Sequence, residues 1–457
     1  MRWSFVAVAL ALTAGRVQAQ SKSVHVTLSG DVAATDNALS TPTNPEADIY
    51  YQLRPGLLFA YDAPREMHEL TVNAEILQYV SHSTAPSITE RGTWRAIFLV
   101  TPLSEVVTSV SAGTGKLNAI TTATTPDAAP LGAVPSGEIS VKNVDAEEYG
   151  SRTLSADWRV SESLAAHYTG TSDAFLTHTH SGAIGGNAGA DYSWRGNSVG
   201  LEVGAEYLYL ERYAPQLPPG LDGSRLTRQL NPHAVASWRH DLSRYWSASL
   251  SAGVKYVEPV GTDHFNPGDV AQSGLFPLLG AQLAYADIWG RLTISAGRSV
   301  APNLLIAQNT ETTNALVQLA LPLPFLDDSR RREPKLIAAG TLGVEHTRLI
   351  DTDLGGGTQA AAFENYHADV ALGYTPSPGF TFGLRYEYLY QTPSQTPLAL
   401  ISTFRRNTVF FTFSMRYPSK LAVAIPKRQN SVRADRKDLA PIGEEIVVPD
   451  NPNENDR

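Results

Sequence analysis

The 457-residue chain contains no cysteine. That excludes disulfide scaffolds, thiol catalysis and zinc sites built on Cys. Methionine is scarce, three residues beside 19 Tyr, 14 Phe and 7 Trp. Charged residues make up 18% of the chain, below the roughly 25% of an ordinary soluble domain. Basic residues are the minority: the formal charge is −9 and the pI near 5.7, which argues against a nucleic-acid ligand. No apolar run reaches the roughly 18 residues that a membrane helix needs, so a polytopic helical membrane protein is excluded. With 42% hydrophobic residues and a mean hydropathy of −0.17, the chain is neither greasy nor disordered.

The N-terminus reads as a processing signal. Arg2 supplies positive charge, Phe5 to Ala14 form an apolar run of ten, and Val17-Gln18-Ala19 offers a small-x-small cleavage pattern. The pattern predicts a signal peptide over 1–19 and a mature chain from Gln20. Ten apolar residues are too few for a membrane anchor, and no Cys follows the cut to carry a lipid. Loss of Arg2 and Arg16 takes the charge from −9 to −11. An exported bacterial chain of this kind belongs in the periplasm, the outer membrane or the medium.

After Gln20 the dominant signal is period-two alternation. Leu70, Val72, Ala74 and Ile76 alternate with Glu69, Thr71, Asn73 and Glu75; Val199, Leu201, Val203, Ala205, Tyr207 and Tyr209 enclose Glu202 and Glu206. Ala248 to Tyr256, Phe380 to Tyr390 and Val409 to Tyr417 repeat the pattern. Eighteen such segments are predicted, near 22–30, 47–60, 66–80, 92–101, 105–116, 140–160, 163–172, 186–195, 198–212, 228–240, 244–257, 276–287, 291–299, 313–323, 335–350, 362–375, 380–391 and 403–417. No amphipathic helix stands out in the body.

Short and long connections alternate between these segments. Asp62-Ala63-Pro64, Thr101-Pro102-Leu103, Ser161-Glu162, Arg195-Gly196-Asn197, Asp241-Leu242-Ser243, Asp287 to Gly290 and Thr375 to Gly379 read as tight turns. Longer stretches fall at Ser81 to Arg91, Thr121 to Gly137, 173–185, 213–227, 258–275, 300–312, 351–361 and 392–402, and Pro322 to Pro334 breaks the rule by being long where a short turn is due. A transmembrane β-barrel has this asymmetry between its two rims, whereas a soluble sandwich does not require it. Its strands need roughly 9–11 residues to cross.

Trp158, Trp194, Trp238, Trp246 and Trp289 sit within about three residues of proposed short turns, and Trp94 alone by a long loop. Tyr79, Tyr207, Tyr209, Tyr256, Tyr388 and Tyr390 lie toward the long-loop ends. Amphipathic rings favour headgroup level, so Trp158, Trp194, Trp238, Trp246, Trp289, Tyr79, Tyr209, Tyr256 and Tyr390 are expected at the membrane interfaces. The blander account, that aromatics are common in strands, explains their abundance but not their segregation.

The signal peptide, the missing cysteine, the strand pattern and the aromatic-rich last strand, Thr408 to Tyr417, together resemble the bacterial outer-membrane β-barrels over about residues 22 to 417. The last strand resembles that family's assembly signal. The chain departs from the family by running on to residue 457 beyond the aromatic Tyr417. The resemblance implies an all-β, antiparallel barrel of about 18 strands in the outer membrane, short turns toward the periplasm and longer loops outside, with membrane lipid as its surroundings. Three parts are expected: signal peptide 1–19, barrel 20–417 and a flexible periplasmic tail 418–457.

A barrel of this size should enclose water rather than side chains alone. About 27 residues precede the second strand, too few for a plug or passenger domain. Glu69, Glu75, Asp157, Arg159, Glu202, Glu206, Arg239, Lys255, Asp369, Arg385 and Glu387 fall on the polar phase and are expected to line the lumen, with both signs of charge. Such a lining suits a wet wall without strong selectivity; a specific sugar or ion track would add aromatic rows, and most aromatics fall on the other phase. Thr121 to Gly137 is the candidate for a loop folded into the lumen, as in trimeric porins.

Catalytic signals are thin. Thr177-His178-Thr179-His180-Ser181 holds a His and Ser that could pair as base and nucleophile, and a His-x-His that could ligate a metal. Incidental pairing at a strand end accounts for both, and the reading is of a non-enzyme with no cofactor. The tail and the irregular turn carry Arg330, Arg331, Arg332, Arg433, Arg436 and Lys437, a docking surface for a periplasmic partner or simply solvated charge. The first-ranked function is an outer-membrane channel for a hydrophilic solute or polymer, an exopolysaccharide-export conduit working with a periplasmic polysaccharide-export protein. That finer reading rests on a loose architectural resemblance to plug-less barrels associated with polysaccharide export, with no residue motif behind it. A general diffusion porin and a structural or adhesive barrel are the alternatives. The oligomeric state is not encoded in any pattern found.

Overall fold

A computed structural model describes residues 21–38, 40, 44–81, 86–117, 139–173, 178–213, 225–264, 273–303, 308–323, 335–350, 362–377, 379–393 and 403–417. Eighteen strands follow one another: β1 (Ser21–Thr35), β2 (Asp48–Ala63), β3 (Glu66–Tyr79), β4 (Ser87–Thr101), β5 (Ser104–Leu117), β6 (Ile139–Thr153), β7 (Trp158–Asp173), β8 (His178–Trp194) and β9 (Asn197–Tyr213). The second half comprises β10 (Arg225–Asp241), β11 (Trp246–His264), β12 (Gly274–Asp287), β13 (Gly290–Asn303), β14 (Gln308–Pro322), β15 (Leu336–Leu349), β16 (Ala362–Ser377), β17 (Phe380–Pro393) and β18 (Phe404–Tyr417). Each strand pairs antiparallel with the next, and β18 pairs with β1 from Val26↔Tyr417 to Thr35↔Thr408, so the sheet closes on itself. Closure leaves no strand edge unpaired, the condition lipid imposes on a spanning sheet.

Turn chemistry sets the narrow rim. At Arg195-Gly196 both residues have positive φ, 42° and 77°, the two-residue geometry whose twist matches its strands. Two other turns share a serine device. Ser155 Oγ accepts from the backbone N–H of Asp157 at 3.3 Å and of Trp158 at 3.1 Å. Ser243 Oγ accepts from Tyr245 and Trp246, both at 3.2 Å. Such a hydroxyl satisfies the amides that a tight turn turns away from the ladder.

Four expected boundaries are corrected. The β6–β7 turn is Leu154 to Asp157, and Ser161-Glu162 lie inside β7. β8 begins at His178, so most of the long loop expected over 173–185 is strand. On the same rim only four residues, 304–307, separate β13 from β14. β4 begins at Ser87, which puts Trp94 midway along the strand instead of beside a loop.

The seam has one close approach that dictates its residue. A Cβ on Gly30 would lie 2.7 Å from Phe413 Cε1 and 2.8 Å from the Gln52 backbone oxygen. The Phe413 ring thus covers the paired glycine from the outer face, as aromatics do in sheets. Gly30→Val is expected to cost about 1–3 kcal/mol by overpacking, read as an earlier urea midpoint for the barrel in lipid vesicles. An unchanged midpoint would mean that the ring does not sit over the glycine.

Candidate functional site: the barrel interior

The two faces of the wall have opposite chemistry. Along β7 to β9 the outward positions carry Leu164, Ile184, Leu201 and Val203; along β15 to β18 they carry Leu342, Val370, Leu384 and Phe411. Ile184 is 61% exposed, Val370 64% and Phe411 51%. Apolar side chains this open, repeated around a closed ring, would be costly in water and match hydrocarbon. The chain is a closed, 18-stranded antiparallel β-barrel with the apolar outer face of a barrel that spans a membrane. Its lipid-facing band is edged by rings. Near the short turns, Trp158 lies 5.1 Å from Tyr192, Tyr192 5.5 Å from Trp194, Trp246 4.9 Å from Tyr285, and Trp238 stacks on His240. Trp289 stands exposed in the β12–β13 turn. At the opposite rim Tyr209 donates to Glu211, Tyr390 lies 5.9 Å from Tyr366, and Tyr256 is exposed. Tyr79 differs from its expected place: it packs at 5.7 Å on the buried Tyr50 ring, on the inner face, and donates to the Ala38 carbonyl.

The inner face is polar. Glu69 and Arg95 are register partners, and Glu75, Arg159, Glu202, Glu206, Arg239, Lys255, Asp369, Arg385 and Glu387 occupy the phase opposite the exposed apolar residues. Asp157 does not: it lies in the β6–β7 turn, exposed, its amide held by Ser155. The alternation predicts a strand over 140–160, which would place Asp157 on the inner phase, but β6 ends at Thr153.

Two sectors of the interior are tightly built. Around the seam, Arg54 pairs with Asp31 at 2.9 Å and Glu75 at 3.0 Å. Arg385 and Arg406 both reach Glu387, at 3.2 and 3.3 Å, and Arg385 lies over the Phe410 ring at 4.2 Å. The start of the β1–β2 connection packs over these groups. Asn37 donates to the Arg405 carbonyl at 3.1 Å, and Arg406 donates to Ser40 Oγ at 3.2 Å. Tyr50 and Phe410, from strands on either side of β1, meet edge-on at 6.3 Å.

The second sector lies nine strands away around the ring. Lys255 on β11 reaches Glu206 on β9 at 2.9 Å and the Val300 carbonyl on β13 at 3.1 Å, each across an intervening strand. The side chains of Gln229 on β10 and Asn309 on β14 are hydrogen-bonded across three intervening strands. Four strand spacings amount to about 19 Å of wall, more than two such side chains span on a gently curved sheet. The wall therefore bends inward across β11 to β13, where these two side chains meet. These contacts link strands that are not sequence neighbours, and alternation alone carries no signal for them.

His180 and Ser181 cannot work as base and nucleophile. Strand alternation sends them to opposite faces: His180 is outward, its Nδ1 3.0 Å from the Tyr168 hydroxyl, while Ser181 is buried inward. Among the described residues no group of three or more His, Asp or Glu could hold a metal. Arg330, Arg331, Arg332, Arg433, Arg436 and Lys437, the candidate docking residues, lie outside the described residues, as do the signal peptide, the 121–137 stretch and the tail.

No protein-family model matches the chain, and no curated protein matches it. Among solved structures it is similar to OccK2 (OpdF) of Pseudomonas aeruginosa, at 10% identity over 87% of this chain and 98% of that one, TM-score 0.44. It is similar to the outer membrane protein OpdK of the same organism, at 11% identity over 86% and 99%, TM-score 0.43. It is also similar to the alcaligin outer-membrane receptor FauA of Bordetella pertussis, at 10% identity over 86% and 76%, TM-score 0.43. Identities this low carry no residue-by-residue correspondence, so the interior is read from its own geometry.

Proposed function

We propose that this barrel is a channel that passes a hydrophilic solute across the outer membrane. The observation that carries the proposal is the inner face: a closed ring of 18 strands turns charged and amide side chains of both signs inward while its apolar residues face lipid. A barrel of this size has room for water inside, and charges fixed on a wet wall lower the cost of moving a hydrated solute. The paired charges, Arg54 with Asp31 and Glu75, Lys255 with Glu206, favour weak ion selectivity.

The Gln229–Asn309 hydrogen bond, which bridges the interior across three strands, favours a small solute over a polymer at rest. Export of an exopolysaccharide with a periplasmic partner therefore ranks second, and a purely structural or adhesive barrel third. The full mature chain, refolded and inserted in a planar bilayer, is expected to give a steady single-channel conductance with little preference between cation and anion. Silence in the full chain that is relieved by removing residues 418–457 would favour a gated conduit serving a partner. Silence in both forms would overturn the channel reading.

A further inference from the structure

Opposite the seam, the interior carries a run of uncharged hydrogen-bonding groups among its ion pairs. Gln229, Asn231, Ser181 and Asn309 are each 0% exposed. Asn231 presents both amide atoms, Gln229 its Nε2 and Ser181 its hydroxyl without a hydrogen-bond partner among the described residues. Beside them Ala183, Leu208 and Leu210 form a small buried apolar face, Leu208 being the register partner of both Ala183 and Gln229. Of the neighbouring ions, Lys255 pairs with Glu206 at 2.9 Å, and Glu311, two positions from Asn309, takes both Arg298 and Arg348.

We propose that this patch is a binding subsite for an uncharged polyhydroxylated solute, a carbohydrate, inside the barrel beside the Gln229–Asn309 bridge; it rests on the channel reading above. A primary amide offers a donor and an acceptor side by side, matching adjacent hydroxyls on a sugar ring. The ring's C–H face suits the Ala183–Leu208–Leu210 surface. Buried polar groups without partners are costly, and a solute that satisfies them recovers that cost. Entry requires the Gln229–Asn309 hydrogen bond to open, each amide exchanging its partner for a solute hydroxyl.

The test is equilibrium binding to the full chain, refolded in detergent, by titration calorimetry with maltotriose and separately with citrate as a charged probe. Saturable maltotriose binding is expected, with no citrate binding, and Asn231→Leu should weaken it about tenfold, the scale of one or two lost hydrogen bonds. Asn231→Asp, which keeps the shape and adds charge, should weaken it as well, and circular dichroism would verify that each variant is folded. Absence of saturable binding, equal binding of citrate, or affinity unchanged in folded Asn231 variants would overturn the subsite. Because binding is read without conductance, the two proposals fail separately. A conducting barrel that binds no maltotriose sinks the subsite alone, and a silent barrel that binds it through Asn231 sinks the channel alone.

Discussion

Glu387→Leu is expected to destabilise the barrel by about 3–5 kcal/mol, the usual cost of leaving one member of a buried ion pair behind. Arg406 is 1% exposed and Glu387 2%, so the guanidinium that faces this carboxylate has little water to turn to. Arg385, bonded to the same carboxylate, loses a partner in the same step. Replacing both members, Glu387→Leu with Arg406→Met, should recover most of the loss, since an apolar pair of similar volume is often neutral or better. Urea unfolding in lipid vesicles, followed by tryptophan fluorescence, reads both. If Glu387→Leu unfolds at the wild-type midpoint, the seam interior is wet enough to solvate a lone charge, and the upper channel is wider than its packing implies.

The strands were legible because a lipid-crossing wall leaves the sequence little freedom. Every second residue must be apolar, and a slip by one would expose the wrong face. Where the outer band is aliphatic and the inner face charged, as at Val199 to Tyr209, the reading and the structure coincide within a residue or two. Where the inner face is small and uncharged the signal fades. β8 opens with His178 and His180 outward and Thr179 and Ser181 inward, polar on both faces, so its first eight residues, 178–185, read as loop.

The β6–β7 turn was missed for a different reason. It contains neither Gly nor Pro, and its punctuation is a serine hydroxyl. The signal was nevertheless present twice: Leu154-Ser155-Ala156-Asp157-Trp158 and Leu242-Ser243-Arg244-Tyr245-Trp246 share the pattern Leu-Ser-x-x-Trp. In both, the serine caps the turn and the tryptophan opens the next strand at the interface. In the second, Asp241-Leu242-Ser243 already signals a turn; in the first, the strand pattern continues through Leu154 to Asp157, so Asp157 falls on the wall's phase. The interior contacts lie beyond any local pattern. Gln229 and Asn309 are 80 positions apart and on strands that never pair; only the curvature of the closed ring brings them together.

Neighbouring residues on one strand give a direct test of which face meets lipid. Val203 lies near the middle of β9, 50% exposed and flanked in register by Ala188 and Ala234 on the outer surface. Val203→Arg should therefore cost about 2–4 kcal/mol, the range for an arginine placed near the bilayer midplane on a barrel's lipid face. Glu202, one position earlier, points inward. Glu202→Gln keeps the side chain's shape and should cost less stability than Val203→Arg, while moving the channel's ion preference toward anions, because it removes a negative charge from the inner wall. Vesicle unfolding and the reversal potential under a salt gradient separate the two effects. Equal stability losses at 202 and 203 would mean that the faces are not assigned as the alternation requires. A stable Val203→Arg barrel with altered ion preference would reverse them, putting the aliphatic phase inside and the acidic phase against lipid, an arrangement whose buried-charge cost no closed barrel of this composition could offset.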